Sequence, residues 1–226
     1  MTAISNVSKL TVELVDKMGD DLRIVNAARV SFGNNKDKLE EKDEKLIDYL
    51  AKHRHMSPFE HCNMTVKISC PLYIRSQIHR HRTFSYNEIS RRYTSKDLQF
   101  YCPPSDDIRV QAEKNRQASA EAMTPEMSAQ MMVAIQHIHQ TTFDTYNSLI
   151  DAGVCREQAR GILPQNLMTE FYMTGNLRNW MHFCSLRMHE GAQKEARDIA
   201  QQCLDILEQS FPVSVAALKR HMDFEE

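Results

Sequence analysis

The sequence has no long apolar run and no excess of positive charge. No stretch approaches the ~20 apolar residues that a membrane-spanning helix needs, and the start, MTAISNVSKLTVELVD, lacks the basic and apolar regions of a signal peptide. The formal net charge is -2, so no overall field draws the chain to nucleic acid or to anionic lipid. We therefore expect a cytoplasmic protein that has neither a membrane nor a nucleic acid as partner.

Several motifs of familiar chemistry are also missing. No two cysteines stand at C-x-x-C spacing, which predicts reduced thiols at Cys62, Cys70, Cys102, Cys155, Cys184 and Cys203. The close histidine pairs are two residues apart and have no zinc-ligand partner at the usual spacing, so no metal site is predicted. The sequence contains no G-x-G-x-x-G, Walker A or G-x-S-x-G stretch, so a Rossmann site, a P-loop and a nucleophile elbow have no support.

The 226 residues, 42% of them hydrophobic, predict one domain that spans residues 1–226. Alternation of apolar and polar residues predicts strands at 9–16, 63–69, 97–101 and 165–175. Helical spacing predicts helices at 22–31, 35–53, 72–82, 109–153 with a break near Pro125, 155–163, 176–188 and 191–210. The stretch SPFEH (57–61) predicts a helix start that Ser57 and Glu60 cap. The expected fold is α+β, a single helix-rich domain with an antiparallel or mixed sheet.

Residues 80–93, RHRTFSYNEISRRY, gather charged and polar side chains in an unusual density. A helix over 72–82 would place Gln77 and Arg80 on one face, while His81 and Arg82 leave it toward an adjoining surface. In an extended chain Glu88, Ser90 and Arg92 project to one side. Guanidinium forks suit phosphate, and hydroxyl and amide groups suit sugar and base edges, so this chemistry fits a nucleotide.

Two other interpretations of this stretch stay open at this point. The arginines can be a solvated face, which is the usual role of a charged run. Alternatively, residues 75–93 bind single-stranded nucleic acid through phosphates, with bases stacked on Phe84, Tyr86 and Tyr93. The basic patch is short and the rest of the chain does not extend it, which argues against this alternative.

The stretch resembles a known signature at every fixed position. The signature is R-H-R-x-x-S-x-N-E-x-S-x-R of the flavin-dependent thymidylate synthases, matched by Arg80, His81, Arg82, Ser85, Asn87, Glu88, Ser90 and Arg92. HMSPFEH (55–61), ARGILPQNLMTEFYMTGNLRNWMHFCSLR (159–187) and AQKEAR (192–197) are similar to further blocks of that family. The segment from about 105 to 150 aligns only by its helical character.

The resemblance implies the fold of that family and a specific reaction. The reaction is the reductive methylation of dUMP to dTMP, with methylenetetrahydrofolate as one-carbon donor, FAD as hydride carrier and NADPH as reductant. It also implies a homotetramer whose active sites are shared between subunits. No cysteine nucleophile is expected.

The resemblance further assigns roles to individual residues. Arg187 is the expected catalytic residue, because it matches an arginine that approaches the uracil N3. The residues expected to bind dUMP are Gln77, Arg80, Glu88, Ser90, Arg91, Arg92, Arg160 and Arg187. Those expected to bind FAD are Ser57, Arg80, His81, Arg82, Glu88, Asn176, Arg178 and His182. From the residues alone, Arg160 and Arg187 would pair with Glu157 or Glu190, and Trp180 and Phe183 would lie in the core.

Overall fold

The computed structural model describes residues 5–114, 119–222 and 224, and it mixes helices with short strands. In these ranges the strands are β1 (Ser5–Val7), β2 (Thr11–Met18), β3 (Asn63–Pro71), β4 (Ser85–Glu88), β5 (Gln99–Tyr101), β6 (Arg109–Gln111), β7 (Ser119–Ala122) and β8 (Met168–Asn176). The α-helices are α1 (Asp21–Arg29), α2 (Glu41–Lys52), α3 (Leu72–Ile78), α4 (Pro125–Asp151), α5 (Arg156–Ala159), α6 (Leu177–Met188), α7 (Lys194–Ser210) and α8 (Pro212–His221). None of the described helices is long and apolar enough to cross a membrane.

The largest sheet has four strands in the order β2-β3-β8-β4. In β3 every second side chain is buried, among them Met64, Val66 and Ile68, as the sequence alternation predicts. Two smaller sheets pair β1 with β5 in parallel and β6 with β7 antiparallel. The predicted α+β fold class is therefore confirmed.

The chain divides into two compact units. The first unit comprises Met1–Leu10, Ser69–Ile78 and Glu88–Phe171, and the second comprises Thr11–Ile68, His79–Asn87 and Tyr172–Glu226. The single domain predicted for residues 1–226 stays a prediction.

Aromatic residues form the centre of the first unit. Phe100 and Tyr146 are fully buried, and they cluster with Leu98, Ala159 and Leu167. His139 stacks on the Phe100 ring with 5.1 Å between ring centres. Its two ring nitrogens meet the side chains of Asn6 and Asn166, so this buried imidazole has both polar atoms satisfied. Burial lowers the pKa of His139.

Trp180 and Phe183 of α6 lie in the core of the second unit, as predicted. Both are fully buried, and Trp180 Nε1 donates a hydrogen bond to the carbonyl of Met64 at 3.1 Å. The ring of Phe84 packs edge-on against Trp180 with 4.7 Å between centres. Gly175 makes this possible, because a Cβ at that position would lie 2.4 Å from the Phe84 ring.

The prediction of a helix from residue 109 is wrong for its first part. Residues 109–111 and 119–122 are the antiparallel strands β6 and β7, and α4 begins only at Pro125. The hydroxyl of Thr124 accepts a hydrogen bond from the backbone N–H three residues on, and Pro125 occupies the first turn. A Ser/Thr cap followed by proline is a helix start, and proline offers no N–H to a helix that continues through it.

Two other helix boundaries differ from the predicted ones. α2 begins at Glu41 because Glu40 and Asp43 form a capping box there. α3 ends at Ile78, four residues earlier than predicted, although Ile74 and Ile78 do face inward as the spacing indicates. Arg80 lies beyond the helix, so Gln77 and Arg80 do not share a helical face.

Candidate active site

The signature stretch contributes to both units of the chain. Residues 79–87 belong to the second unit, and the part from Glu88 onward belongs to the first. Of the predicted site residues, the first unit holds Gln77, Glu88, Ser90, Arg91, Arg92 and Arg160. The second unit holds Ser57, Arg80, His81, Arg82, Asn176, Arg178, His182 and Arg187.

A cleft of about 630 Å³ opens in the first unit. We call it the arginine cleft, and its polar lining includes Arg75, Glu88, Ser90, Arg91, Arg160 and Thr169. The carboxylate of Glu157 also lines the cleft, and apolar side chains such as Leu72, Leu163 and Met168 line most of the rest. The structure thus brings together four of the residues predicted to bind a nucleotide, from β4, the turn that follows it, and the short helical segment 160–162.

Glu88 is held by two neighbours within the arginine cleft. Thr169 Oγ1 donates a hydrogen bond to Glu88 Oε1 at 2.6 Å, and Arg75 Nε lies 3.3 Å from the same oxygen. Neither Arg75 nor Thr169 was among the predicted site residues. Arg75 stands just upstream of the signature, which could have indicated it. Thr169 is 81 residues from Glu88, and no local pattern reports such a contact.

Two arginines of the arginine cleft have no carboxylate partner in the part of the chain that the structure describes. Arg160 is exposed and its side chain forms no hydrogen bond or ion pair with the described residues, so the pairing with Glu157 or Glu190 expected from the residues alone is wrong for it. Arg91 Nη1 donates to the carbonyl of Lys96 at 2.7 Å, which leaves the guanidinium charge in place. Burial lowers the pKa of Arg91.

The turn after β4 departs from the predicted extended chain. Backbone N–H groups of Tyr93 and Thr94 donate to the carbonyl of Ser90, which closes a turn at 3.0 and 3.3 Å. Arg91 therefore lines the arginine cleft, whereas Arg92 is exposed and lies 3.6 Å from Glu157. Gln77 is half-buried on α3, outside the lining of the cleft.

A second group of site residues, the His81–Arg187 cluster, consists of His81, Tyr86, Phe183 and Arg187 in the second unit. Arg187 Nε donates a hydrogen bond to His81 Nε2 at 2.9 Å, and the His81 ring stands edge-on to Phe183 at 4.9 Å. Tyr86 donates its hydroxyl hydrogen bond to the His81 carbonyl at 2.8 Å. Because His81 Nε2 accepts, the imidazole is neutral and carries its proton on Nδ1.

The electrostatics of this cluster follow from its burial. Burial, together with the charges of Arg187 and His182, lowers the pKa of His81 to about 4. Burial also raises the pKa of Tyr86 to about 12 and lowers that of Arg187. Arginine stays protonated at any physiological pH, so a charged guanidinium is held beside a neutral imidazole.

The other site residues of the second unit lie at its surface or near it. Arg80 and Arg82 are exposed and form no hydrogen bond or ion pair with the described residues; Ser57 and His182 are exposed as well. Asn176 caps α6, since its Oδ1 accepts from the backbone N–H of Asn179 at 3.0 Å.

The predicted capping box at 57–61 is wrong. SPFEH forms a short 3-10 turn in which Ser57 makes no capping hydrogen bond. Glu60 instead accepts a hydrogen bond from Arg178 Nη1 at 2.5 Å. The Glu60 carboxylate is thus bound by the Arg178 guanidinium and not by a backbone N–H at the start of the turn.

The aromatic residues of the stretch do not suit the nucleic-acid interpretation. Phe84 is only 9% exposed and packs against Trp180 and Phe183, so its ring is not available to stack a base. Tyr86 is half-buried, and Tyr93 is exposed. One exposed ring of the three is not the stacking platform that single-strand binding needs.

The chain is thus an α+β protein with an arginine-lined cleft whose guanidiniums suit an anionic ligand, and comparison with known proteins identifies the family. The family model described as "Thymidylate synthase complementing protein" matches residues 13–213. The chain is 42% identical over 211 residues to a flavin-dependent thymidylate synthase of Thermus thermophilus, covering 93% of this chain and 76% of the relative. It is 40% identical over 213 residues to that of Thermotoga neapolitana, covering 93% and 91%.

Solved structures agree with this assignment. A UMP/dUMP methylase, PolB from Streptomyces cacaoi bound with 5-Br dUMP, has a TM-score of 0.88 and 33% identity, with 96% of this chain and 97% of that chain covered. The same methylase bound with 5-Br UMP also gives 0.88, with 32% identity and 99% of each chain covered. The chain belongs to the flavin-dependent thymidylate synthase family.

Proposed function

We propose that this protein catalyses the reductive methylation of dUMP to dTMP. Methylenetetrahydrofolate donates the one-carbon unit, FAD carries the hydride and NADPH is the reductant. The names of the relatives and the nucleotides bound to the neighbouring methylase support this assignment.

The observation that carries the proposal is that two guanidinium charges in the arginine cleft are not neutralised by a described carboxylate. Arg160 and Arg91 have no carboxylate within ion-pair distance among the described residues, while Glu88 and Ser90 supply acceptor and hydroxyl groups beside them. A phosphate monoester carries about −1.5 to −2 charges at pH 7. Guanidinium forks bind such a group in bidentate fashion, so a nucleoside monophosphate is the ligand that this lining matches.

The dUMP-binding set that we propose follows the residues that match the family. It consists of Gln77, Arg80, Glu88, Ser90, Arg91, Arg92, Arg160 and Arg187. The guanidiniums neutralise the phosphate, and the hydroxyl, carboxylate and amide groups serve the sugar and the base.

The proposed FAD contacts fit a large dianionic ligand. Arg80 and Arg82 present exposed guanidiniums that have no partner among the described residues, and Ser57 presents an exposed hydroxyl. Glu88, His81, Asn176, Arg178 and His182 complete the set. Arg178 is bound to Glu60, so a pyrophosphate would replace one anionic partner by another. When bound, reduced FAD supplies the hydride for the methylation.

Arg187 is the residue to which we assign activation of the uracil ring. A guanidinium directed at uracil N3 and O4 stabilises negative charge that develops there and so makes C5 nucleophilic without a cysteine adduct. His81 holds this guanidinium through Nε2. Because His81 is neutral, it fixes the guanidinium without cancelling its charge.

We also propose a homotetramer with active sites shared between subunits. Two variants, Ser90→Ala and Arg178→Ala, each impaired at low concentrations of dUMP and FAD, should regain activity there when mixed and reassembled, because some sites then contain neither substitution. Each variant alone, carried through the same reassembly, is the control. Light scattering that shows an active monomer would exclude the shared sites.

Absorption spectroscopy tests the function directly. The purified protein should bind FAD in a fixed ratio, NADPH should bleach the flavin band, and dUMP should perturb it. Addition of methylenetetrahydrofolate should then yield dTMP. A protein that takes up no FAD on dialysis, or that forms no dTMP with all components present, contradicts the proposal.

A further inference from the structure

Glu88 uses only one of its two carboxylate oxygens within the described residues. Oε1 accepts the 2.6 Å hydrogen bond from Thr169 and faces Arg75 Nε at 3.3 Å. Oε2 has no hydrogen-bond partner in the described chain, yet Glu88 lines the arginine cleft. The carboxylate is therefore anchored at one oxygen and open at the other.

The anchoring is built from different parts of the fold. Thr169 lies on β8 and is only 6% exposed, so its hydroxyl is committed to Glu88 rather than to water. Next to it, the backbone N–H of Ile89 donates to the carbonyl of Glu170 at 2.9 Å. The backbone bond at Ile89 and the side-chain bond from Thr169 thus hold Glu88 in place beside β8. Arg75 on α3 contacts the same carboxylate from another element.

The open oxygen selects a particular kind of ligand group. An ionised carboxylate only accepts hydrogen bonds and repels phosphate. The ligand atom that meets Glu88 Oε2 must therefore be a donor, such as a sugar hydroxyl or a ring N–H. Phosphate suits instead the guanidiniums of Arg160 and Arg91, neither of which has a carboxylate partner among the described residues.

We propose that Thr169 and Arg75 are positioning residues that aim Glu88 Oε2 at a hydrogen-bond donor on the nucleoside part of dUMP. This inference rests on the proposed function. Both residues act through Glu88 and touch no reacting atom. The anionic and nucleoside ends of the ligand then depend on different protein groups, which makes them separable by experiment.

The central test compares two ligands across matched variants of β8. Thr169→Val removes the hydroxyl at nearly constant volume, and Thr169→Ser restores it. Thr174→Val is the control, because Thr174 lies on the same strand and its hydroxyl bonds that of Thr65 at 2.9 Å, outside the arginine cleft. Dissociation constants for dUMP, and for inorganic phosphate as its competitor, are measured on the FAD-loaded protein by calorimetry.

We expect Thr169→Val to weaken dUMP binding roughly tenfold, since hydrogen bonds to charged groups are worth about that factor or more. Phosphate affinity should stay unchanged, Thr169→Ser should recover most of the dUMP affinity, and Thr174→Val should match the wild type. Equal weakening of dUMP and phosphate would show that Thr169 only supports the cleft. A Thr169→Val protein that binds dUMP as the wild type does would also overturn the inference.

A second comparison tests Arg75. Arg75→Met and Thr169→Val both act through Glu88, so the double variant should lose less dUMP affinity than the sum of the single losses. Strict additivity would remove Arg75 from the proposal.

Two dUMP analogues identify the donor. 2′,3′-Dideoxyuridine monophosphate lacks the sugar hydroxyl, and N3-methyl-dUMP lacks the ring N–H. For the analogue that lacks the partner of Glu88, the wild type and Thr169→Val should bind with equal affinity. If Thr169→Val binds both analogues more weakly than the wild type does, the inference is wrong. If the wild-type protein binds no dUMP, the proposed function and this inference are both wrong. If the wild type forms dTMP and Thr169→Val binds dUMP with unchanged affinity, only the inference is wrong.

Discussion

In the arginine cleft the guanidinium of Arg160 is exposed and unpaired among the described residues, whereas in the His81–Arg187 cluster Arg187 is half-buried and bonded to His81 Nε2 at 2.9 Å. The charge of Arg160 is thus in contact with water. The cluster keeps its charge beside aromatic rings, and burial lowers the pKa of His81 to about 4.

We propose that this difference separates dUMP binding from activation of the uracil ring. A hydrated guanidinium is free to follow a phosphate, but part of its field is screened by water. A guanidinium with a fixed partner and little water acts at one place with a stronger field, because the effective dielectric constant is lower there. We therefore expect changes in the cleft to appear in affinity and changes in the cluster to appear in turnover or stability.

The largest effect should follow removal of Arg187. Arg187→Ala should lower turnover at saturating dUMP by about 10²–10³-fold, the usual cost of one preorganised donor, while FAD stays bound. Arg187→Lys should recover binding better than turnover, because lysine supplies charge without the fork. The measurement is dTMP formation beside FAD occupancy, with Arg220→Ala, an exposed arginine paired with Asp48, as control. Wild-type turnover of Arg187→Ala at saturation would make Arg187 a structural residue only.

The next prediction concerns the loss of stability at low pH that the buried imidazole of His81 causes. Below pH 6.5 the unfolded chain binds a proton at His81 that the folded protein, with a His81 pKa of about 4, does not bind. Stability should therefore fall as pH drops from 6.5 toward 4, and His81 should account for roughly 2 to 3 kcal/mol of that fall by pH 4.5. His81→Gln, which does not titrate, should show a correspondingly flatter decline in denaturant unfolding.

The control for this prediction is His137→Gln, since His137 is exposed on α4. Its decline between pH 7 and pH 4.5 should equal that of the wild type. If His81→Gln declines as steeply as the wild type, His81 is not the buried neutral group that the cluster requires.

A smaller effect is expected at Arg160. Arg160→Ala should weaken dUMP binding roughly tenfold through loss of a charge-assisted hydrogen bond, with little change in turnover once dUMP saturates. Arg156→Ala is a matched control, because Arg156 is exposed one turn earlier and outside the lining of the arginine cleft. Titration with dUMP and steady-state rates separate the two parameters. A fall in turnover at saturation, with unchanged affinity, would reverse the roles of the two regions.

The smallest effect on catalysis should come from the thiols. Burial raises the pKa of Cys70 in the first unit and of Cys184 in the second, so neither of these two thiols is poised to act as a nucleophile. Cys70→Ser and Cys184→Ser should keep their turnover and lose about 1 kcal/mol of stability. Complete loss of dTMP formation in a folded, FAD-replete variant would indicate a covalent thiol mechanism.

Much of this fold is visible in local patterns of the sequence. The alternation in β3 and the spacing of Ile74 and Ile78 report burial correctly, because side-chain direction repeats every two residues in a strand and every 3.6 in a helix. Helix boundaries are harder to predict, because they depend on which side chains cap the backbone. The sequence predicts that Ser57 and Glu60 cap a helix start, but Glu60 binds Arg178 instead.

The sequence by itself determined the family, the α+β class and the residues of the signature, since each of these depends on residue types in a local order. Only the tertiary structure decided which residues, distant in sequence, contact one another. Glu88 and Thr169 are 81 residues apart, His81 and Arg187 are 106 apart, and Asp21, which accepts hydrogen bonds from the backbone at the start of α8, is 193 residues from Ser214. Such pairs leave no period in the sequence, because they depend on where packing of the whole chain places two distant backbones and not on the residues beside them.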